Sequence, residues 1–180
     1  MNIINNYSKI DEYMPIIKLA DNEYVINFDK KDILTRKYKE VNGISVETDD
    51  FISSGNCSYK SFIIKKKLTP IQIVNLIQNV IDDETSYNII NLFKWNGYSI
   101  YLSKENQMNY KNALDLAIMT NGESLPITFK FKKDGKTAYY TFDTVNELKD
   151  FYMAINKHIN SCLETGWQRK DAVVAEDYKI

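Results

Sequence analysis

His158 is the one side chain in this 180-residue sequence whose ordinary pKa suits proton transfer near neutral pH. Any Ser-His-Asp triad or histidine-bound metal would have to be assembled around it. It lies inside a long helical pattern beside the apolar Ile159, with no nucleophile or second ligand identifiable nearby, so a structural or solvent-exposed histidine is expected rather than a catalytic one. Asp82-Asp83-Glu84 has the charge to hold a divalent cation. It lacks the Asp/Asn alternation and the glycine of a calcium loop, and reads instead as a solvated helix break. The six glycines are dispersed and form no phosphate-cradling fingerprint. Cys57 and Cys162, far apart in sequence, match no metal or redox spacing and are expected as reduced thiols, consistent with synthesis in a cytoplasm. The residues therefore predict no catalytic, cofactor-binding or metal site, and no enzyme.

The aromatic residues are the other candidates, at 13% of the chain with 13 tyrosines. Tyr98 to Tyr101 and Tyr139-Tyr140 have the composition of a stacking platform on a sheet, but no basic cluster surrounds them in the sequence. Core and interface roles are expected instead, with Trp95, Tyr98, Tyr139 and Trp167 as candidate partner-contact residues. Charge agrees with that reading. Twenty-three Lys and Arg against 24 Asp and Glu leave a net charge of −1, without the electrostatic footprint of a nucleic-acid or membrane-surface binder. The segment Met1 to Tyr7 lacks a positive cluster followed by an apolar core, so no signal peptide is expected. No run approaches the length of a membrane-spanning helix.

The elements that must position these residues are most legible from Trp95 to Val173. Trp95-Asn96-Gly97 predicts a turn into a short strand ending at Leu102, and Ser103 caps a helix that stops at Asn121-Gly122. In that helix Tyr110, Ala113, Leu114, Ala117 and Ile118 form the apolar stripe. Ile127, Phe129 and Phe131 alternate with Thr128, Lys130 and Lys132, the period of a strand buried on one face. Asp134-Gly135 supplies the positive φ angles of a type I′ turn into a return strand, Thr137 to Phe142. A closing helix begins near Thr144, which with Glu147 fits a capping box. Its apolar stripe is Val145, Leu148, Tyr152, Ile155, Ile159 and Cys162.

Upstream, the pattern is one of short strands: Tyr13 to Leu19, Glu23 to Phe28, Arg36 to Val41, Ile44 to Glu47 and Ser58 to Lys65. Ala20-Asp21-Asn22 and Asn42-Gly43 are the expected turns, and Thr48 to Gly55 an expected loop. Thr69-Pro70 opens a helix whose buried face is Ile73, Val74, Ile77, Val80 and Ile81. A shorter apolar segment, Ile89 to Phe93, follows the acidic triplet. The expected fold class is α+β: a small antiparallel β module over residues 1–67, then a domain over residues 68–180. That domain is predicted as a helix followed by a β-α-β-β-α unit with a three-stranded antiparallel sheet. A chain this long buries roughly 70% of its unfolded surface and needs no staples.

Several short runs together are similar to one family. Trp95-Asn96-Gly97, Leu102-Ser103-Lys104-Glu105-Asn106-Gln107, Asn109-Tyr110, Leu125-Pro126-Ile127, Phe129-Lys130-Phe131, Phe151-Tyr152, His158-Ile159 and Gly166-Trp167-Gln168-Arg169-Lys170-Asp171-Ala172 resemble the DUF4376 family over about Thr69 to Val173. The resemblance implies a protein of tailed bacteriophages and prophages, often those of gut Bacteroidales and including crAss-like phages, encoded among tail and tail-fibre genes. It implies a virion location after synthesis in the host bacterial cytoplasm. The partners it implies are other virion proteins, tail or fibre subunits among them, or further copies in a symmetric ring or fibre. A fibre-assembly chaperone absent from the particle and a head-fibre or capsid decoration protein are the alternatives. The family brings no catalytic residues to transfer, and the strands of residues 1–67 lie outside the resemblance.

Overall fold

The structure, a computed structural model, describes residues 2–42 and 44–179. It mixes three α-helices with two four-stranded antiparallel sheets. The chain forms two compact units, residues 1–78 with 171–180, and residues 79–170.

In the first unit, β1 (Ile4–Lys9), β2 (Ile16–Ala20), β3 (Glu23–Val41) and β4 (Ile44–Ile64) form a sheet of order β1-β4-β3-β2. Its core is at the base, where Tyr24, Ile26 and Phe28 of β3 and Phe62 and Ile64 of β4 are buried. The Phe28 and Phe62 rings meet edge to face at 5.7 Å. Asn27 is the buried polar anchor. Its side-chain amide donates to the Met14 carbonyl at 2.7 Å, its backbone N–H donates to the Pro15 carbonyl at 2.8 Å, and its backbone carbonyl accepts from the Tyr13 and Tyr178 hydroxyls at 3.1 Å each. These bonds offset the cost of placing polar groups in the interior. Burial raises both phenols, Tyr178 to about 12.

Five short strands were expected in this region, and the ladder differs. Arg36 to Val41 continues the strand that begins at Glu23, and Thr48 to Gly55, expected as a loop, is extended backbone within β4. Ile4–Lys9 is a strand that nothing in its residue pattern announces. Outer β3 and β4 bury little on either face, so no period of two marks them and pairing across the hairpin carries the extended conformation. Asn42 takes φ +53 at the tip, and Gly43, the other half of that expected turn, lies outside the described residues.

Helix α1 (Pro70–Asn91) is started by a reciprocal cap. The Gln72 N–H donates to Thr69 Oγ1 at 3.3 Å, and the Thr69 N–H donates to Gln72 Oε1 at 2.9 Å. The helix runs unbroken through Asp82-Asp83-Glu84, so the expected break there is wrong. Its cause is visible on α3 (Val145–Asp171): Lys170 Nζ lies 2.7 Å from Asp82, and Arg169 lies 2.7 Å from Glu84. Neutralising partners remove the reason for the triplet to end a helix.

The second unit carries β5 (Lys94–Trp95), β6 (Tyr98–Ser99), α2 (Lys104–Met119), β7 (Ile127–Lys133), β8 (Lys136–Phe142) and most of α3. The expected three-stranded sheet is four-stranded, of order β5-β6-β7-β8. Lys94–Trp95 forms the extra edge strand because Asn96 and Gly97, at φ +48 and +80, reverse the chain one residue later than predicted. The expected strand to Leu102 ends at Ser99, and Ile100 and Leu102 are buried beyond the ladder.

Phe129, Phe131, Tyr140 and Phe142 line the sheet face that α2 and α3 cover, with Tyr110 and Phe151 as the main helical contributors. Ile118, placed on the buried stripe of α2 by its spacing, is 52% exposed, since the turn at Asn121-Gly122 ends the helix there. Ser103 caps α2 through the Asn106 N–H at 3.2 Å. The side chains of Asn106 and Gln107 reach back to the Tyr101 and Leu102 carbonyls, both at 2.8 Å.

Candidate functional site

His158, Cys162, Tyr110 and Tyr140 each make contacts within the fold. His158 projects from α3 so that Nε2 lies 3.1 Å from the Asn88 carbonyl and 3.3 Å from that of Ile89, in the last turn of α1. A carbonyl accepts, so Nε2 carries the proton and adds a donor to the last turn of α1, where the Asn88 carbonyl also accepts from the Leu92 N–H at 3.1 Å. Cys162 Sγ sits 3.8 Å from the same nitrogen, and burial pushes its thiol upward, away from the thiolate a nucleophile needs. Burial likewise pushes Tyr110 to about 12, and a hydrogen bond to Glu147 raises Tyr140. Each of these shifts favours the neutral side chain. Both cysteines are free thiols. Among the described residues no group of three or more His, Cys, Asp or Glu is placed to hold a metal ion. No helix among them is long and apolar enough to cross a membrane.

The four predicted contact residues fall into different settings. Trp95 and Tyr98 are paired across the β5–β6 hairpin and half buried. Trp95 lies against Tyr140, Phe142 and Phe151 with ring centroids 5.0, 5.4 and 5.2 Å away, so most of its ring is spent on the unit's own core. Tyr98 packs edge-on to Tyr140 at 5.2 Å. Tyr139 and Trp167 are the exposed pair, at 67% and 54%. Tyr139 alternates with Tyr140, so it stands on the opposite, uncovered sheet face. Trp167 is on the outer side of α3, next to the buried Gly166.

Basic residues do accompany Tyr139, although the sequence shows no cluster there. Lys130 is directly opposite it in the β7–β8 ladder, and Lys132 and Thr137 form a further pair on the same face. Thr128 and Thr141 bridge through their hydroxyls at 2.8 Å, again on this face. Lys133 lies 5.1 Å over the Tyr98 ring. A shallow groove of about 550 Å³ adjoins this face, lined among others by Asn91, Ser99, Tyr101, Tyr110, Lys130 and Lys132. The signal was present in the turn, since a two-residue loop at Asp134-Gly135 fixes Lys130 opposite Tyr139.

A second feature belongs to the first unit: the outer β3–β4 ribbon, whose tip is the expected pairing of Arg36 to Val41 with Ile44 to Glu47 and whose length the sequence does not show. Beyond the pairing of Asp32 with Cys57 it presents Leu34, Tyr38, Val41, Ile44, Val46, Phe51 and Ile52 to solvent, each more than 40% exposed. An isolated two-stranded ribbon is marginal in water, and exposed apolar side chains in numbers mark contact surfaces. What the arrangement offers chemically is surface: free strand edges, exposed aromatic and aliphatic groups, and a lysine-bearing sheet face.

Residues 75–180 match the sequence profile of a family described as a domain of unknown function, DUF4376. No curated protein and no solved structure matches the chain. Within the matched stretch, the motif residues singled out above serve the fold: Asn96-Gly97 turns β5 into β6, Ser103, Asn106 and Gln107 secure the start of α2, and Phe129, Phe131 and Phe151 fill the core.

Proposed function

The chain belongs to the DUF4376 family, and from that premise we propose that it is a non-enzymatic structural component of a bacteriophage virion, in the tail or the fibre-attachment region. It acts through protein–protein contacts. The observation that carries the contact reading is the ribbon of outer β3 and β4, whose exposed Leu34, Tyr38, Phe51 and Ile52 no element of this chain covers among the described residues. A surface of that kind costs solubility unless an assembly buries it. The phage setting rests on the resemblance of the motif set from Trp95 to Ala172. In this reading the second unit, inside the family stretch, supplies a common module, and the strands before it adapt this member to its neighbours.

Quantitative mass spectrometry of gradient-purified particles, with the producing lysate as control, tests this reading. The expected result is a fixed ratio of this chain to the major capsid subunit. Abundance in the lysate with absence from particles would overturn it and make an assembly chaperone the better description.

A further inference from the structure

The ribbon has two unlike edges. β1 pairs with β4 only as far as Asn56, and β2 pairs with β3 only over Glu23 to Ile26, so from Leu34 on β3 and from Gly55 on β4 outward both edges lack a strand neighbour among the described residues. Along outer β3 stand Arg36, Lys37 and Lys39 against one acid, Glu40. Along outer β4, from Ile44 to Asn56, stand Glu47, Asp49 and Asp50 and no base. Within the ribbon Arg36 and Glu47 satisfy each other at 3.0 Å, and the Tyr38 hydroxyl donates to Glu47 at 2.9 Å. The remaining charges face outward. Register steps from Arg36 opposite Phe51 to Tyr38 opposite Glu47, which leaves Thr48, Asp49 and Asp50 facing Lys37 alone. Thr48 Oγ1 donates to the Lys37 carbonyl at 2.9 Å within this bulge, where Asp49 and Asp50 are exposed.

Charges on edge strands commonly guard against pairing, and that purpose is served by one sign on both edges, so that every approach of two copies repels. Here the signs are opposite. Basic edge on basic edge repels, and acidic on acidic repels, but the β3 edge of one copy attracts the β4 edge of another. That asymmetry selects the head-to-tail contact over the two-fold one.

We propose that outer β3 and β4 form a self-assembly arm, in which the Lys37/Lys39 edge of one copy docks against the Asp49/Asp50 edge of the next. Free backbone groups supply strand-to-strand hydrogen bonds, and the exposed apolar residues of neighbouring ribbons cover one another. Each copy uses both edges once, so the contact closes into a ring or extends into a filament. The inference rests on the chain being an assembling subunit, yet a monomer in the test below would leave its presence in particles unaffected, so the two readings fail separately.

The test uses the full chain and two variants, K37E/K39E and D49K/D50K, which spare the Arg36–Glu47 pair that steadies the ribbon. Sedimentation at rising concentration and at two ionic strengths reads the assembly state. The parent is expected to associate, more weakly at high salt. Either variant alone is expected to raise the apparent dissociation constant by about tenfold or more, since each places like charges at every contact. An equimolar mixture of the two is expected to recover assembly, because one variant carries two acidic edges and the other two basic ones. Recovery on mixing also shows that both variants fold. A parent that stays monomeric, variants that assemble like the parent, or a mixture no larger than its components would each overturn the proposal.

Discussion

Replacing Phe151 with alanine is expected to remove about 4 kcal/mol from the stability of the second unit, within the range for a fully buried phenylalanine. The ring is wholly inaccessible to solvent and is the hub of the aromatic core. Its centroid lies 5.0 Å from that of Phe142, 5.2 Å from Trp95 and from Tyr110, and 5.7 Å from Phe131. Removing it opens a cavity walled by flat rings on sheet and helices, which cannot close without moving the sheet from α3. Geometry adds to burial here, because tilted and edge-to-face ring pairs contribute about 0.5–1.5 kcal/mol beyond their area. Against a typical domain stability of about 5–15 kcal/mol, the loss leaves a unit close to unfolding at ambient temperature. Both tryptophans belong to this unit, Trp95 inside the cluster, so urea unfolding followed by tryptophan fluorescence reads the effect. Phe151→Leu, which keeps most of the volume, is expected to cost under about 1.5 kcal/mol. A cost below about 1 kcal/mol for the alanine variant would mean that the core is not built around this ring.

Gly166 is the second position where a small change has a large consequence. It sits in the interior of α3 and is buried against Thr85 of α1. In an open helix Gly→Ala gains about 1 kcal/mol of propensity. Here a Cβ would stand 2.5 Å from Thr85 Oγ1 and 3.2 Å from its Cγ2, so rotating the side chain only exchanges one clash for another. The hydroxyl is also committed, donating to the Ile81 carbonyl at 2.7 Å. Gly166→Ala is therefore expected to destabilise by about 1–2 kcal/mol, the overpacking cost outweighing the propensity gain. In a Thr85→Ala background both offending atoms are gone and the nearest contact relaxes to the 3.4 Å of Cβ. There the same substitution is expected to become neutral or stabilising. A double-mutant cycle reads this reversal of sign directly. Stabilisation by Gly166→Ala in the parent would contradict the close approach of α1 and α3.

These two positions show which parts of the fold the residues announce. Of the expected stripe Val145, Leu148, Tyr152, Ile155, Ile159 and Cys162, all but Cys162 pack on the core cluster, but Phe151, wholly buried among its rings, is not on that list, because a helix this well covered buries an arc wider than one narrow stripe. Gly166 gives no local sign of its role, which depends on a residue 81 positions away in sequence. Turn chemistry carried more. Asp134-Gly135 takes φ angles of +52 and +75 and sets the β7–β8 register as predicted from its dipeptide, and Thr144 caps α3 through the Glu147 N–H at 3.2 Å. The Glu147 carboxylate returns to the Asp143 N–H, at 3.4 Å, a variation on the capping box that spacing alone does not distinguish.

The exposed apolar and basic surfaces leave little trace in the sequence for a physical reason. Periodicity reports a face that is buried by the chain itself, and the outer β3–β4 ribbon has none. Its polar run from Thr48 to Gly55 therefore looked like a loop, although the extended conformation follows from the partner strand. The lysines around Tyr139 are scattered in sequence and converge only across the ladder. Opposite charges on the two ribbon edges likewise cancel in a net charge of −1, which describes the whole chain and hides their segregation.

That the chain joins its assembly through the ribbon is tested most directly by removing the ribbon alone. Asp32 and Cys57 face each other in the ladder, so replacing residues 33–56 by Asn-Gly closes a short hairpin in place of the long one and costs the sheet base only the Lys9–Asn56 position. Parent and shortened chain, each produced in cells making the particle, would be quantified by mass spectrometry in purified particles and in the lysate. The expected result is a shortened chain that is folded and abundant in the lysate but absent from particles that contain the parent. Incorporation of the shortened chain at the parent's level would contradict the ribbon as the device of assembly.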